Sequence, residues 1–253
     1  MKTLVTTGRG GTGKTSLVAL MTKYLAEEGR APLLLVDLDP DQNLAEMVGV
    51  DLERAAVKTI AELVTDTFIR QGGTTVGVSP KDRIEAKIFE HGLYEGDTFD
   101  LMAVGTKWIE GCYCLPDAAL KGALQAFASN YAYVLVDSPA GLEHLNRKIM
   151  DRVSDIFDVM GPSHKSFENV RRSCRIIREI GIAFDHFYTV GGPLFPASLE
   201  PGLEEKTGQP YLGKIAFDPR VEEAAIAGRS LLDLPRDSPA YLSVKRLMKK
   251  AGY

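Results

Sequence analysis

The chain has 253 residues, 45% of them apolar and 25% charged, and a formal net charge of −4. That composition supports a buried core and excludes an intrinsically disordered chain, while the acidic balance argues against nucleic acid as the main partner. No apolar run reaches the roughly 18 residues of a membrane span, Met1 leads into no secretory segment, and three cysteines are too few for a disulfide framework, so a cytoplasmic protein with reduced thiols is expected.

In chain order, TLVTT (3–7), PLLLVD (32–37), FDLMAV (99–104), YVLVD (133–137), IFDVM (156–160), FYTV (187–190) and YLGKI (211–215) read as strands. Several are continuously apolar, the pattern of strands covered on both faces. Helical patterns lie between them, notably SLVALMTKYLAEEG (16–29) and SFENVRRSCRIIREIG (166–181), the second ending at Gly181 as a C-terminal cap. Alternation of this kind predicts an α/β fold: one doubly wound, mainly parallel sheet with helices on both faces, in a single domain spanning 1–253. Two stretches interrupt it. Residues 66–97 read as a polar insertion with one helix around 80–90, and residues 196–210 carry three prolines and mix loop with short helix.

Between the first strand and the first helix stands GRGGTGKTS. It satisfies G-x-x-x-x-G-K-[ST] in the strand-to-helix context that a phosphate-binding loop requires. Gly8, Gly10, Gly11 and Gly13 let backbone N–H groups turn inward around an anion, with Arg9, Thr12 and Ser16 completing the nucleotide-binding segment. Lys14 is expected to reach the β- and γ-phosphates of ATP, and the Thr15 hydroxyl to ligate Mg²⁺.

Further carboxylates are needed at the sheet edge. Asp137 ends YVLVD and suits magnesium bound through water; Gly141, four residues on, is placed to offer its N–H to a γ-phosphate. In VDLDPDQN, Asp37 ends its strand and suits an outer contact to magnesium, while Asp39 begins the loop and suits orientation of the attacking water. The competing reading for this pair is capping of a helix that starts near Gln42.

GRGGTGKTS resembles the deviant Walker A motif, G-K-G-G-x-G-K-[ST], of the MinD/ParA/nitrogenase-iron-protein class of P-loop ATPases. VDLDPDQN resembles the first switch of that class, DSPAGLE (137–143) its second, and GKIAFDPRVEEAAIAGRSL its carboxyl-terminal pattern, so the resemblance covers roughly 1–60 and 130–230. It implies ATP hydrolysis to ADP and phosphate by a homodimer closed around two nucleotides, with the early lysine of the motif touching the partner's phosphates. Here that position is Arg9, which keeps the charge and adds a planar fork. Action across the dimer is expected; a carboxylate of its own chain is the competing partner. The class often reads adenine with an asparagine after a late strand, where this chain has YTVGGPLFP. Asp218 and Arg220 lie near the expected base.

In WIEGCYCLP, Cys112 and Cys114 precede a helix expected to start near Pro116. Thiolates at a helix N-terminus bind soft and borderline metals, and a dimer supplies two such pairs, enough for a tetrahedral site. Cys174 falls at helical spacing with Val170 and Ile177 and reads as core, and His144 as a structural contact. A Cys-x-Cys ahead of the Asp137 switch, with GCYC and AGLEHLNR, resembles the CooC family of maturation ATPases. That resemblance implies insertion of nickel into carbon monoxide dehydrogenase or acetyl-CoA synthase, with Ni²⁺ or Zn²⁺ held by Cys112 and Cys114 of two subunits. Two alternatives stand. One is a MinD/ParA-like positioning switch on membrane or DNA, for which the terminal AYLSVKRLMKKAGY is a weak amphipathic signal; packing of that helix on the sheet is the preferred reading. The other is an electron-transfer protein sharing an iron–sulfur cluster.

Overall fold

A computed structural model of the chain describes residues 1–67, 80–106, 114–141, 150 and 152–253. Its seven described strands are β1 (Lys2–Gly8), β2 (Leu33–Asp37), β3 (Phe99–Ala103), β4 (Tyr133–Asp137), β5 (Arg152–Met160), β6 (Ala183–Gly191) and β7 (Tyr211–Lys214). They form one sheet in the order β3-β2-β4-β1-β5-β6-β7, and every strand pair in it is parallel. All seven fall where the apolar runs predict. β5 and β6 begin earlier than expected because their amino-terminal halves are partly exposed and carry polar residues, so apolar continuity does not mark them.

The helices are α1 (Lys14–Glu27), α2 (Asn43–Met47), α3 (Ile60–Thr65), α4 (Pro80–His91), α5 (Cys114–Phe127), α6 (Lys165–Glu179), α7 (Leu203–Thr207), α8 (Pro219–Ile226) and α9 (Pro239–Lys250). The helix expected around 80–90 is α4. Residues 196–210 hold a 3₁₀ turn at Ala197–Leu199 and then α7. Gly181 ends α6 with φ +76°: its N–H donates to the Arg178 carbonyl and that of Ile182 to the Ile177 carbonyl, the paired bonds of a Schellman cap.

Each sheet face carries its own apolar cluster. α1, α2, α8 and α9 pack Leu17, Leu20, Leu44, Ala224, Val244 and Leu247 against Leu4, Leu33, Leu35 and Phe157. α3 to α7 pack Ile60, Ile88, Leu120, Val170 and Leu203 against Val5, Leu34, Val36 and Ile156. Leu33, Leu34, Leu35 and Val36 are all fully buried, as a strand covered on both sides must be. Each such side chain contributes about 1.5–3 kcal/mol, an upper estimate.

From β1 the chain moves to β2 on one side of the sheet and returns through β4, while β5 lies on the other side of β1. The carboxyl ends of β1, β2, β4 and β5 therefore meet at the crevice where open α/β sheets bind ligands.

Candidate nucleotide site

The loop from β1 to α1 is shaped by glycines that no other residue replaces without strain. Gly8 has φ +136°, and a Cβ there would lie 2.4 Å from the Val159 carbonyl oxygen of β5; Gly13 has φ +94°. Gly13 is the N-terminal boundary of α1, and among the described residues no side chain caps that helix end, so its first N–H groups face the loop. The Lys14 ammonium is buried and donates to the Arg9 carbonyl at 3.1 Å, and the Thr12 hydroxyl donates to the same carbonyl at 2.9 Å. Arg9 itself is exposed and forms no ion pair among the described residues. Ser16 lies at the start of α1 with its hydroxyl 3.9 Å from the Met47 sulfur.

Asp37 and Asp137 are register partners on β2 and β4. Asp137 accepts from the Thr15 hydroxyl at 2.6 Å and from the Thr6 hydroxyl at 3.2 Å, tying the end of β4 to the phosphate loop. Asp37 accepts from the backbone N–H of Asp39 at 2.9 Å and of Leu44 at 3.1 Å. The second bond reaches the first turn of α2, whose boundary is Gln42, so the capping reading holds for Asp37 and does not exclude another role. Asp39 is half-buried and accepts from the Asp41 N–H at 3.1 Å. Burial pushes both Asp37 and Asp137 above the usual carboxylate range; the neighbouring Asp137 charge raises Asp37 further, while Thr15 and Lys14 hold Asp137 down. Two wholly buried carboxylates beside a hydroxyl form an oxygen donor set that fits a hard divalent cation. Gly141 has φ +94°, and its N–H lies 3.4 Å from the Gly8 carbonyl.

The other expected residues separate. Cys112 and His144 lie outside the described residues. α5 begins at Cys114, two residues before Pro116. Among the described residues no group of three or more His, Cys, Asp or Glu is arranged to hold a metal ion. Cys174 is buried with Val170 and Ile177. Asp218 is the N-cap of α8, accepting from the Arg220 N–H and the Ser238 hydroxyl; Arg220 pairs with it. Of the apolar residues in the terminal helix, Tyr241, Val244, Leu247 and Met248 are buried against the sheet, and Leu242 is partly exposed.

Two contributors to the site, and one buried carboxylate behind it, were not visible as such in the sequence. Gly192 lets the segment after β6 run under the loop, since a Cβ there would lie 2.4 Å from the Thr12 carbonyl oxygen. The paired glycines of YTVGGP were its signal. Thr6, which bonds Asp137, is an unremarked member of a strand. Asp158 interrupts the apolar run IFDVM and is buried.

A strand–loop–helix that cradles phosphate, next to an acidic sheet edge, defines a P-loop nucleotide hydrolase. The chain belongs to the AAA domain family, whose model matches residues 2–181. It is an ATP-binding ATPase, and it is similar to the carbon monoxide dehydrogenase accessory protein CooC of Rhodospirillum rubrum, at 28% identity over 98% of this chain and 97% of that protein. An uncharacterised ATP-binding protein of Methanocaldococcus jannaschii is 28% identical over 98% of this chain and 97% of its own length. Among solved structures, a ParA family ATPase from Chlorobium tepidum superposes with a TM-score of 0.75 at 16% identity, covering 100% of this chain and 99% of that one. Among the described residues no helix is long and apolar enough to cross a membrane.

Proposed function

We propose that the chain is an ATP-driven maturation factor that inserts nickel into carbon monoxide dehydrogenase or acetyl-CoA synthase. The observation that carries this reading is the similarity to CooC along nearly the whole chain, joined to the Cys112-Tyr113-Cys114 stretch of the sequence, whose last residue begins α5. The metal is cargo, held by Cys112 and Cys114 of two subunits as Ni²⁺ or Zn²⁺, since thiolates discriminate weakly between these ions. The working form is a homodimer in the cytoplasm, without nucleic acid. A membrane is not needed, and the burial of the apolar side of α9 supports that.

The nucleotide chemistry follows from the loop geometry. Lys14 exchanges the Arg9 carbonyl for the β- and γ-phosphates, and the N–H groups from Gly8 to Ser16 surround them. Thr15 and, through water, Asp137 and Asp37 would hold Mg²⁺, which would supply positive charge to offset that of the phosphates. The half-buried Asp39 orients the attacking water. Gly141 exchanges the Gly8 carbonyl for the γ-phosphate and loses that partner on hydrolysis, which links nucleotide state to the segment after β4. Arg9, exposed and unpaired among the described residues, reaches the nucleotide of the partner subunit.

The test is metal content and solution mass of wild type and of Cys112→Ala/Cys114→Ala, each with ADP and with a non-hydrolysable ATP analogue. About half a zinc or nickel ion per chain, lost with the cysteines while nucleotide binding persists, is expected. Metal that stays in the double variant, or a metal-free protein that dimerises with nucleotide and then binds lipid, overturns the reading in favour of a positioning switch.

A further inference from the structure

Behind the phosphate loop, on the sheet face covered by α6, lies a cavity of about 330 Å³ whose floor none of the chemistry above uses. Its floor comes from adjacent strands. Thr7 of β1 and Asp158 of β5 are register partners, so their side chains leave the same face together. Thr7 is 0% and Asp158 3% exposed, and neither Thr7 Oγ1 nor Asp158 Oδ2 has a hydrogen-bond partner among the described residues. α6 supplies the wall: Ser166, whose hydroxyl donates to the Gly161 carbonyl, Ser173, whose hydroxyl bonds Asp158, and Asn169, whose Nδ2 is also unpartnered among the described residues. The exposed Arg9 and Arg172 also line it.

A buried carboxylate oxygen with no partner is costly, and buried polar groups in folded proteins are nearly always paired. The neighbours of Asp158 on the same face of β5, Ile156 and Met160, are ordinary core residues. Packing alone would place an aliphatic residue between them. The three groups left open are two acceptors at the floor and one amide donor on the wall, with guanidinium groups beside them. A lone anion is repelled by Asp158, an apolar molecule leaves Asp158 Oδ2 without a partner, and a bare metal ion leaves most of the volume unfilled.

We propose that this cavity binds a small amphoteric molecule, its primary ammonium seated on Asp158, Thr7 and Ser173 and its carboxylate facing Asn169, Arg9 and Arg172. An ammonium has three donors for these three oxygen-bearing groups, and a planar guanidinium suits a carboxylate. Gly8 and Arg9 of the phosphate loop and Ala140 and Gly141 after β4 also line the cavity. The ligand and the nucleotide therefore share walls, and each shifts the affinity of the other by the same factor. A carboxylate that engages Arg9 withdraws it from the phosphates, so the ligand slows ATP hydrolysis. That direction rests on the role of Arg9 proposed above; the binding does not.

Calorimetric titration of the full chain, saturated with magnesium and ADP so that the phosphate loop is filled, tests the site. The probes are glycine, β-alanine, γ-aminobutyrate and lysine, with methylammonium and acetate as half-ligands. At least one amino acid is expected to bind saturably and more tightly than either half-ligand. Asp158→Asn, which keeps the shape, is expected to weaken it at least tenfold and Arg172→Ala several-fold, with ADP affinity unchanged in both. Thr7→Val serves in place of Asp158→Asn should that variant not fold, with the same loss expected. Absence of saturable binding by all four amino acids overturns the proposal. So does unchanged affinity in Asp158→Asn or Thr7→Val, or a half-ligand that binds as tightly as the amino acid. Binding with no change in ATP hydrolysis would overturn the role of Arg9 and leave the site in place.

Discussion

Asp37 and Asp137 stand opposite each other at the ends of β2 and β4, both wholly buried. Burial raises the pKa of each, and the Asp137 charge adds to it at Asp37. A carboxyl whose folded pKa lies above its unfolded value of about 4 stabilises the fold below that value, and the contribution is lost as pH rises through the folded pKa. The nucleotide-free protein should therefore lose stability from these groups between pH 5 and 8. Asp137→Asn removes one carboxylate and most of the repulsion on the other. Its urea midpoint should fall less over that range, by about 1–2 kcal/mol in stability difference. Groups common to both proteins cancel in the comparison. Parallel pH profiles would contradict the coupling, and magnesium with ADP should flatten the wild-type curve.

Gly8 and Gly11 both have positive φ, but only Gly8 is also pressed against a neighbouring strand. Gly8→Ala drives a methyl group into the Val159 carbonyl and should cost about 2–4 kcal/mol, lowering the Tm by roughly 5–15 °C. Gly11→Ala meets nothing within 4 Å and carries only the conformational cost, about 1–2 kcal/mol. Equal losses in the two variants, read by calorimetry, would show that the contact with β5 is not what fixes the loop.

The sheet and the phosphate loop were legible because both are written in local pattern. Leu33 to Val36 is apolar at every position, and Gly8 to Thr15 carries its glycines and lysine at fixed spacing. What escaped depends on contacts between distant segments. Gly192 is required by the Thr12 carbonyl, 180 residues away in the chain. Thr6 meets Asp137 because β1 and β4 are neighbours, which their order in the sequence does not reveal. Asp158 is one polar letter in an apolar run, and only the packing of α6 over it shows that the carboxylate is enclosed. Asp37 was readable as a sheet-edge acid and, in the competing reading, as a cap for the helix near Gln42; that Leu44 is the N–H it accepts from was not, because the loop between them had to fold back first.

The terminal helix separates two readings of its own pattern. Tyr241 donates to Glu27 at 2.7 Å across the α1–α9 contact, and Leu247 is 3% exposed whereas Leu242 is 39% exposed. Leu247→Asp buries a charge and should destabilise the protein by more than about 3 kcal/mol. Leu242→Asp should change stability by no more than about 0.5 kcal/mol, as surface substitutions do. In co-sedimentation with anionic vesicles the wild type should stay in the supernatant at physiological salt. Sedimentation that Leu242→Asp abolishes would instead make this helix a membrane contact.

Arg9 is exposed and unpaired among the described residues, whereas Lys14 is buried across the loop. Arg9→Ala should therefore leave stability within about 0.5 kcal/mol and still reduce ATP hydrolysis by about 10³-fold, the lower range for an arginine supplied to a phosphoryl transfer. Arg9→Lys keeps the charge without the fork and should recover part of the rate. Lys14→Ala should abolish hydrolysis at its own site. Mixing the two inactive variants decides the geometry. In a mixed dimer the Arg9→Ala subunit keeps its own Lys14 and receives Arg9 from the Lys14→Ala subunit, so one complete site forms. Phosphate release should then return to about a quarter of the wild-type rate at equal mixing, since half the dimers are mixed and each has one working site. A mixture as inactive as its components would place Arg9 in its own subunit's site.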